Sequence, residues 1–320
     1  MIYDRVTDAI GRTPIVRLRR LFPPPLPETL AKLELLNPGG SIKDRPARYI
    51  VETALRRGVI DGRSHLVESS SGNLGVAVAM VARLYGLAFT CVVDPKTCPA
   101  NIELLRHFGA AVEMVHKPDD HGGYLKSRLE RVRELLDVVP NAYWINQYAN
   151  ELNWQAHYHE TAQEILDEVD AIDYLVLAVS TTGTIMGLAR RLREAFPRLR
   201  VVAVDAAGSA IFGARPARRE LPGLGSSIVP GLLDPTEIDD VVHVADSDAA
   251  RGCERLAAAE AIFAGGSSGA VVAALQRVLP GLPASARVVT LFPDRGERYL
   301  DTVYNADWAA KVAGRTVELV

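Results

Sequence analysis

Asn37-Pro38-Gly39-Gly40-Ser41-Ile42-Lys43-Asp44-Arg45 reads as the end of a strand, a glycine turn, and a lysine set immediately before a helix. Two glycines let backbone approach a bound ring closely, and the positive end of a helix disfavours the ammonium form of an amine placed there. A lysine with a lowered pKa is what Schiff-base chemistry needs. A lysine in isolation is ordinarily a surface residue, so the flanking sequence has to decide what Lys43 does.

Working outward, short β-branched runs alternate with longer amphipathic ones, the pattern of βαβ units and a mainly parallel sheet. The pattern predicts strands over 29–35, 65–68, 89–93, 112–115, 174–179, 201–205 and 287–291. It predicts helices over 44–57, 74–85, 100–108, 124–136, 154–168, 184–195, 248–262 and 270–278. Loop-type residues interrupt it near Pro38-Gly39-Gly40 and again over 147–150. The expected organisation is therefore a large domain made of 1–38 plus 149–320, with a smaller mobile domain, 39–148, inserted into it.

Three more loops share the character of the first. Ser69-Ser70-Ser71-Gly72-Asn73-Leu74-Gly75 joins a strand to an apolar helix, and its hydroxyls and N–H groups suit an anion, or equally an ordinary helix cap. Ser180-Thr181-Thr182-Gly183-Thr184 follows a buried strand and opens a helix, making a cup for a terminal phosphate. It lacks both the Walker lysine and the GxGxxG spacing, so neither ATP nor NAD is its natural occupant. Gly265-Gly266-Ser267-Ser268-Gly269 reads as a linker between two helices whose serine could bond a ring nitrogen without charging it.

The rest of the chain sets bounds. Of 320 residues, 48% are hydrophobic and 23% charged, with 36 Lys plus Arg against 39 Asp plus Glu. Near-balanced charge argues against nucleic-acid or anionic-membrane partners and for small molecules. The acid-bearing start lacks a signal-peptide pattern, and the least polar stretch, 174–189, is too short to span a bilayer. Three cysteines, Cys91, Cys98 and Cys253, are too few for a disulfide framework, and they read as packing residues in a cytoplasmic protein. His157 and His159 fall on different faces of a helix and cannot share a metal, so no metal site is expected and both read as solvent or packing residues. Arg215, Arg218 and Arg219 form a basic cluster before Glu220-Leu221-Pro222-Gly223, read as a solvated loop or a lid over an anionic substrate.

In order, NPGGSIKDR, SSGNLG, STTGT and GGSSG resemble the fold-type II pyridoxal-phosphate enzymes, within them the cysteine synthase and cystathionine β-synthase family. The resemblance runs from Ile10-Gly11-Arg12-Thr13-Pro14 to Asp294-Arg295-Gly296-Glu297-Arg298-Tyr299-Leu300. It implies an α/β two-domain fold of mainly parallel twisted sheets flanked by helices, and a homodimer. Lys43 would carry pyridoxal 5'-phosphate as a Schiff base, Asn73 would meet its ring oxygen, Ser180, Thr181, Thr182, Gly183 and Thr184 its phosphate, and Ser267 its pyridine nitrogen. A serine does not keep that nitrogen protonated, so a weaker electron sink should favour loss of a β-leaving group to an aminoacrylate.

Cysteine synthases usually read TSGNTG and GTGGT where this chain has Ser70-Ser71-Gly72-Asn73-Leu74-Gly75 and Ser180-Thr181-Thr182-Gly183-Thr184. Together with Asp119-Asp120-His121-Gly122-Gly123-Tyr124, the segment 143–150 and Glu220-Leu221-Pro222-Gly223-Leu224-Gly225, these changes resemble a narrower branch. That branch is the N-(2-amino-2-carboxyethyl)-L-glutamate synthases of 2,3-diaminopropionate and siderophore biosynthesis, transferases that join O-phospho-L-serine to L-glutamate and release phosphate. The resemblance implies that Arg128, Tyr148 and Ser180 recognise the phosphate or the glutamate carboxylates, and that Ser70, Ser71, Gly72 and Gln147 hold the amino-acid carboxylate. For Arg128 the competing reading is a partner on a charged helix beside Glu130 and Arg131. The rival activities are a cysteine synthase using O-acetylserine or O-phosphoserine with sulfide, cystathionine synthesis, and a non-catalytic binding protein that has kept the fold.

Overall fold

The computed structural model describes residues 2–118, 122–214 and 217–313. Its strands are β1 (Ile15–Arg17), β2 (Glu28–Lys32), β3 (His65–Ser69), β4 (Ala88–Val93), β5 (Ala111–Met114), β6 (Ala142–Trp144), β7 (Tyr174–Ala178), β8 (Arg200–Ala206), β9 (Asp240–Val244) and β10 (Arg287–Leu291). Its helices are α1 (Asp44–Arg56), α2 (Asn73–Tyr85), α3 (Pro99–His107), α4 (Leu125–Val138), α5 (Leu152–Ala156), α6 (Ala162–Glu168), α7 (Gly183–Ala195), α8 (Asp246–Glu260), α9 (Gly266–Val278) and α10 (Ala306–Ala313).

Two sheets result. One has the order β1-β2-β10-β7-β8-β9 and is parallel except for the β1–β2 pair; the other, β5-β4-β3-β6, is parallel throughout. All strands of the second sheet come from the stretch of chain between β2 and β7. Strands such as β7 and β8 are buried nearly end to end because helices cover both faces, which is why they read as continuous apolar runs. Helix α2 is apolar on all sides because it is interior: Leu74 to Ala82 are all buried. No helix among the described residues is long and apolar enough to cross a membrane.

Four differences from the sequence reading have physical causes. Strands β1, β6 and β9 were not expected, and all three are sheet edges, half-buried and without a continuous apolar run. The expected helix over 154–168 is interrupted by a π-helical turn, His157–Thr161, between α5 and α6. The predicted strand over 29–35 stops at Lys32, and a 3-10 turn, Glu34–Leu36, follows. The segment expected to be a Gly/Ser linker is the first turn of α9. Its glycine serves packing: a Cβ on Gly269 would lie 2.0 Å from the Ala249 carbonyl oxygen of α8.

Parallel strands point their carboxyl ends one way, and ligands bind outside those ends. The segments after β2, β7 and β10 of one sheet carry Lys43, Ser180 and Asp294, and those after β3 and β6 of the other carry Asn73 and Gln147; strand direction gathers each set, and the two sets line one cavity.

Candidate active site

These turns enclose a cavity of about 380 Å³ lined by Lys43, Ser70, Ser71, Gly72, Asn73, Arg128, Gln147, Tyr148, Ser180, Thr181, Thr182, Thr184 and Ser267. Of the residues expected at the site only Gly183 stands behind the lining, as the first residue of α7.

Lys43 directly precedes α1. Burial lowers its amine to about 8, and the nearby Asp294 charge opposes that shift. The helix behind it is anchored by a buried ionic cluster. Arg45 donates to Glu34 at 2.7 and 2.8 Å and to Glu164 at 2.7 Å, and Lys32 Nζ sits 2.8 Å from Glu164. Burial alone would push the Glu34 carboxyl up, but the Arg45 charge and hydrogen bonds hold it at about 2. Next to Lys43, Asp44 accepts from the Gly39 N–H at 2.5 Å, and burial pushes its carboxyl up to about 7. A fixed amine of lowered pKa is thus presented to the cavity on a rigid base.

The hydroxyl loop after β7 is suited to a phosphate. Thr182 has a left-handed backbone, φ 63°, rare for a β-branched residue and found where a site holds the chain in place. Its Oγ1 is buried and has no hydrogen-bond partner, so a donor awaits an acceptor. The first turn of α7 adds N–H groups with no intrahelical partner. Gly183 packs closely there, since a Cβ would lie 2.5 Å from Asn153 Oδ1 and force that carboxamide to shift. Beneath the loop, His157 bonds Thr184 Oγ1 through Nε2 at 3.2 Å and Thr161 Oγ1 through Nδ1 at 3.0 Å. Burial lowers His157 to about 3, so it is neutral here and adds no cation to the cup. His157 is therefore a packing residue that also braces the cup, while His159 is exposed and stacks on Tyr49.

On the opposite wall, Ser70 Oγ accepts from the Gly75 N–H at 3.0 Å, which makes it a cap of α2 as well as a lining residue. Gln147 Nε2 donates to the Ser69 carbonyl at 3.0 Å and to Glu68 Oε1 at 3.5 Å. Asn73 Nδ2 donates to Asp294 Oδ2 at 2.7 Å, and Arg298 donates to Asn73 Oδ1. Ser267, 7% exposed, faces the cavity from the start of α9.

A second cavity of about 200 Å³ adjoins the first through Ser71, Lys96, Arg128, Tyr148 and Ser180. Its described lining carries Lys96, Arg128, Arg218 and Arg219 against Asp94 and Glu220. Arg128 does not pair along its own helix: its Nε lies 3.1 Å from Asp94 at the end of β4, while Arg131 takes Glu113 and Glu134. Ser180 Oγ donates to the Gly225 carbonyl at 3.1 Å, tying the phosphate loop to the loop that carries Arg218 and Arg219. Arg215 and Asp119-Asp120-His121, singled out in the sequence, lie outside the described residues.

The sequence reading missed Asp94, Asp294, Arg298 and Tyr299, and it took Cys98 for a packing residue. Cys98 lines the cavity, half-buried, because it stands where the chain turns from β4 into α3. The signal available for Asp294 and Arg298 was the Asp-Arg-Gly-Glu-Arg-Tyr stretch, quoted but given no role.

The residues present fit pyridoxal phosphate: an amine of lowered pKa, an unpartnered buried hydroxyl at a helix N-terminus, and a neutral serine opposite. A family model described as "Pyridoxal-phosphate dependent enzyme" matches residues 6–294. Among solved structures, O-acetylserine-dependent cystathionine β-synthase from Helicobacter pylori is 32% identical, with TM-score 0.89 over 95% of this chain and 100% of its own. An O-ureido-L-serine-bound lysine-to-alanine variant of O-ureido-L-serine synthase is 34% identical, with TM-score 0.89 over 99% of this chain and 100% of its own. A hydrogen sulfide-producing enzyme from Fusobacterium nucleatum is 30% identical, with TM-score 0.87 over 93% and 100%.

Proposed function

The chain belongs to the pyridoxal-phosphate-dependent enzymes, and from that premise we propose that it performs β-replacement on O-phospho-L-serine with the amine of L-glutamate. The products are N-(2-amino-2-carboxyethyl)-L-glutamate and phosphate. The α/β two-sheet fold, the cofactor and the wider group of cysteine synthase-like and cystathionine β-synthase-like enzymes are common to its structural relatives. The choice of substrates is our reading. In that reading two chains form a homodimer, and residues 39–148 are the mobile smaller domain.

The bound cofactor supplies the electron withdrawal that acidifies the substrate α-proton and lets the β-substituent depart. Lys43, Ser267 and the 180–184 loop would hold it, with Asn73 toward its ring oxygen. With the cofactor bound, Lys43 Nζ would be the base that takes the α-proton of the substrate, and an amine poised at about 8 is suited to accept and return protons near neutrality. Ser70, Ser71, Gly72 and Gln147 orient the amino-acid carboxylate, while Ile42 and Leu74 keep the cavity wall apolar.

The observation that carries the substrate choice is the second cavity. A phosphate leaving group and the extra carboxylates of glutamate need cations, and Arg128 offers a planar fork at the throat between the two spaces. Sulfide or an acetyl leaving group needs none. Arg128→Ala should raise the KM for O-phosphoserine by about tenfold or more while changing that for O-acetylserine by less than about threefold; equal losses on both would sink the assignment. The competing reading, a sulfur acceptor, is favoured by the Helicobacter enzyme, whose named product is a thioether. An acceptor screen with O-phosphoserine, followed by phosphate release and product mass, separates the two. Sulfide outcompeting glutamate would reassign the enzyme.

A further inference from the structure

The Asn73 amide is held in one of its two possible orientations. Its Nδ2 donates to Asp294 Oδ2 at 2.7 Å, and its Oδ1 accepts from Arg298 Nη1. Both partners are themselves fixed. Arg298 Nη2 donates to the Gly39 carbonyl at 2.6 Å, and Asp294 Oδ2 also accepts from the Tyr299 hydroxyl. The backbone of this stretch is bound to the turn that carries Lys43, through Ile42 N–H to Pro293 O at 2.7 Å and Arg295 N–H to Gly40 O at 3.2 Å. Reversing the amide would set its NH₂ against a guanidinium and its carbonyl against a carboxylate, and both contacts would lose their hydrogen bonds.

An amide NH₂ has two hydrogens, and Asp294 takes one of them. The other lies near the Tyr299 hydroxyl, which itself donates to Asp294, and no acceptor among the described residues takes it at 3.5 Å or less, so it is left for whatever occupies the cavity. We propose that Asp294 and Arg298 are positioning residues that clamp the Asn73 amide so that it offers an N–H, and never its carbonyl, to the ring oxygen of the bound cofactor. The clamp rests on the reading that Asn73 faces that oxygen. A donor there favours the ionised ring oxygen, and an acceptor would favour the protonated one. The clamp therefore selects the visible-absorbing tautomer of the lysine-bound cofactor over the near-ultraviolet one.

The arrangement does not depend on the charge state of Asp294. Burial pushes its carboxyl up, while the Tyr299 and Asn73 donors and the Arg298 and Lys43 charges oppose that. An acceptor oxygen is present in either state. Space for the carboxylate is reserved by Gly265, where a Cβ would lie 2.2 Å from Asp294 Oδ1.

The test is the ratio of visible to near-ultraviolet absorbance of the substrate-free holoenzyme at fixed pH. Asp294→Ala and Arg298→Met should each lower the ratio by about threefold or more, whereas Asp294→Asn, which keeps an acceptor, should hold it near the wild-type value. Asn73→Ala provides the reference shift. A shift in Asn73→Ala with none in either clamp variant would overturn the clamp and leave the role of Asn73 standing. No shift in Asn73→Ala would overturn that role and the clamp with it. An Asp294→Asn spectrum moved as far as that of Asp294→Ala would show that charge acts, not orientation, and would also refute the proposal. Arg298 is half-buried, so Arg298→Met decides the matter if Asp294→Ala does not fold.

Discussion

The two cavities are built differently. The floor of the larger one is made of the Lys43 amine before α1 together with main chain and small hydroxyls at helix starts: the loop from Ser180 to Thr184, and Ser267 at the start of α9. The rim around the smaller one is made of long charged side chains from separate elements: Arg128 on α4, Asp94 after β4, and Arg218, Arg219 and Glu220 on a loop. Floor groups are positioned by the backbone and hold a cofactor common to many reactions. Rim groups reach in by flexible side chains, and such groups can change substrate preference without disturbing the chemistry below.

That contrast is broken most severely at Lys43. Lys43→Ala should abolish the visible band of the bound cofactor and lower turnover roughly 10³-fold or more with every donor and acceptor, because no rim residue substitutes for the amine. The same lysine yields a pH test. Its folded-state pKa is depressed to about 8, so the neutral amine appears as pH rises through about 8 and not through 10.5, where a freely solvated lysine titrates. The rate at which apoenzyme takes up pyridoxal phosphate, followed by absorbance, should rise over that interval. A rise centred near 10.5 would mean that Lys43 is solvated like a surface lysine and the floor is open.

A smaller break is expected at Gly183. A Cβ there would lie 2.5 Å from the Asn153 carboxamide, and overpacking of this kind costs about 1–3 kcal/mol. Gly183→Ala should weaken cofactor affinity about 5- to 150-fold, measured by fluorescence titration of the apoenzyme, while Arg128→Ala leaves that affinity unchanged. If the two variants traded effects, the division between floor and rim would be wrong.

The same division explains what could be read in the sequence. The floor was legible because its parts are contiguous in the chain: Asn37 to Arg45, Ser69 to Gly75 and Ser180 to Thr184 each fall between an apolar strand and a helix. Lys43, Asn73 and the hydroxyl cup came from that grammar and from the order of the loops. The rim was legible only in part: Arg128 came from the resemblance and Arg218 and Arg219 from their basic cluster, but Asp94 did not, because it and Arg128 are single residues 34 positions apart whose meeting depends on α4 packing over the end of β4. Asp294 and Arg298 likewise acquire their roles only when β10 is placed between β2 and β7. The glycines of the α9 turn were misread since helix breaking and close helix packing call for the same residue. Contact between α8 and α9, invisible to local sequence, made the difference.

Ser180 belongs to both regions, and it carries the smallest expected effect. Its hydroxyl donates to the Gly225 carbonyl at 3.1 Å and lines both cavities, so it was assigned on sequence grounds both to the phosphate and to the substrate. The loop it touches stays docked without it, because the Gly225 N–H also donates to the Val179 carbonyl at 2.7 Å. Loss of one neutral hydrogen bond is worth about 0.5–1.5 kcal/mol, so Ser180→Ala should change a binding constant by roughly two- to tenfold. If the hydroxyl serves the rim, that change falls on the KM for O-phosphoserine and cofactor affinity is unaltered. If it serves the floor, the apoenzyme titration moves and the KM does not. Thr182 already offers the floor a buried, unpartnered hydroxyl, whereas the Ser180 hydroxyl is engaged with Gly225 on the rim loop. The expected outcome is therefore a shift in KM alone, and a shift in cofactor affinity alone would move the boundary between floor and rim outward by one residue.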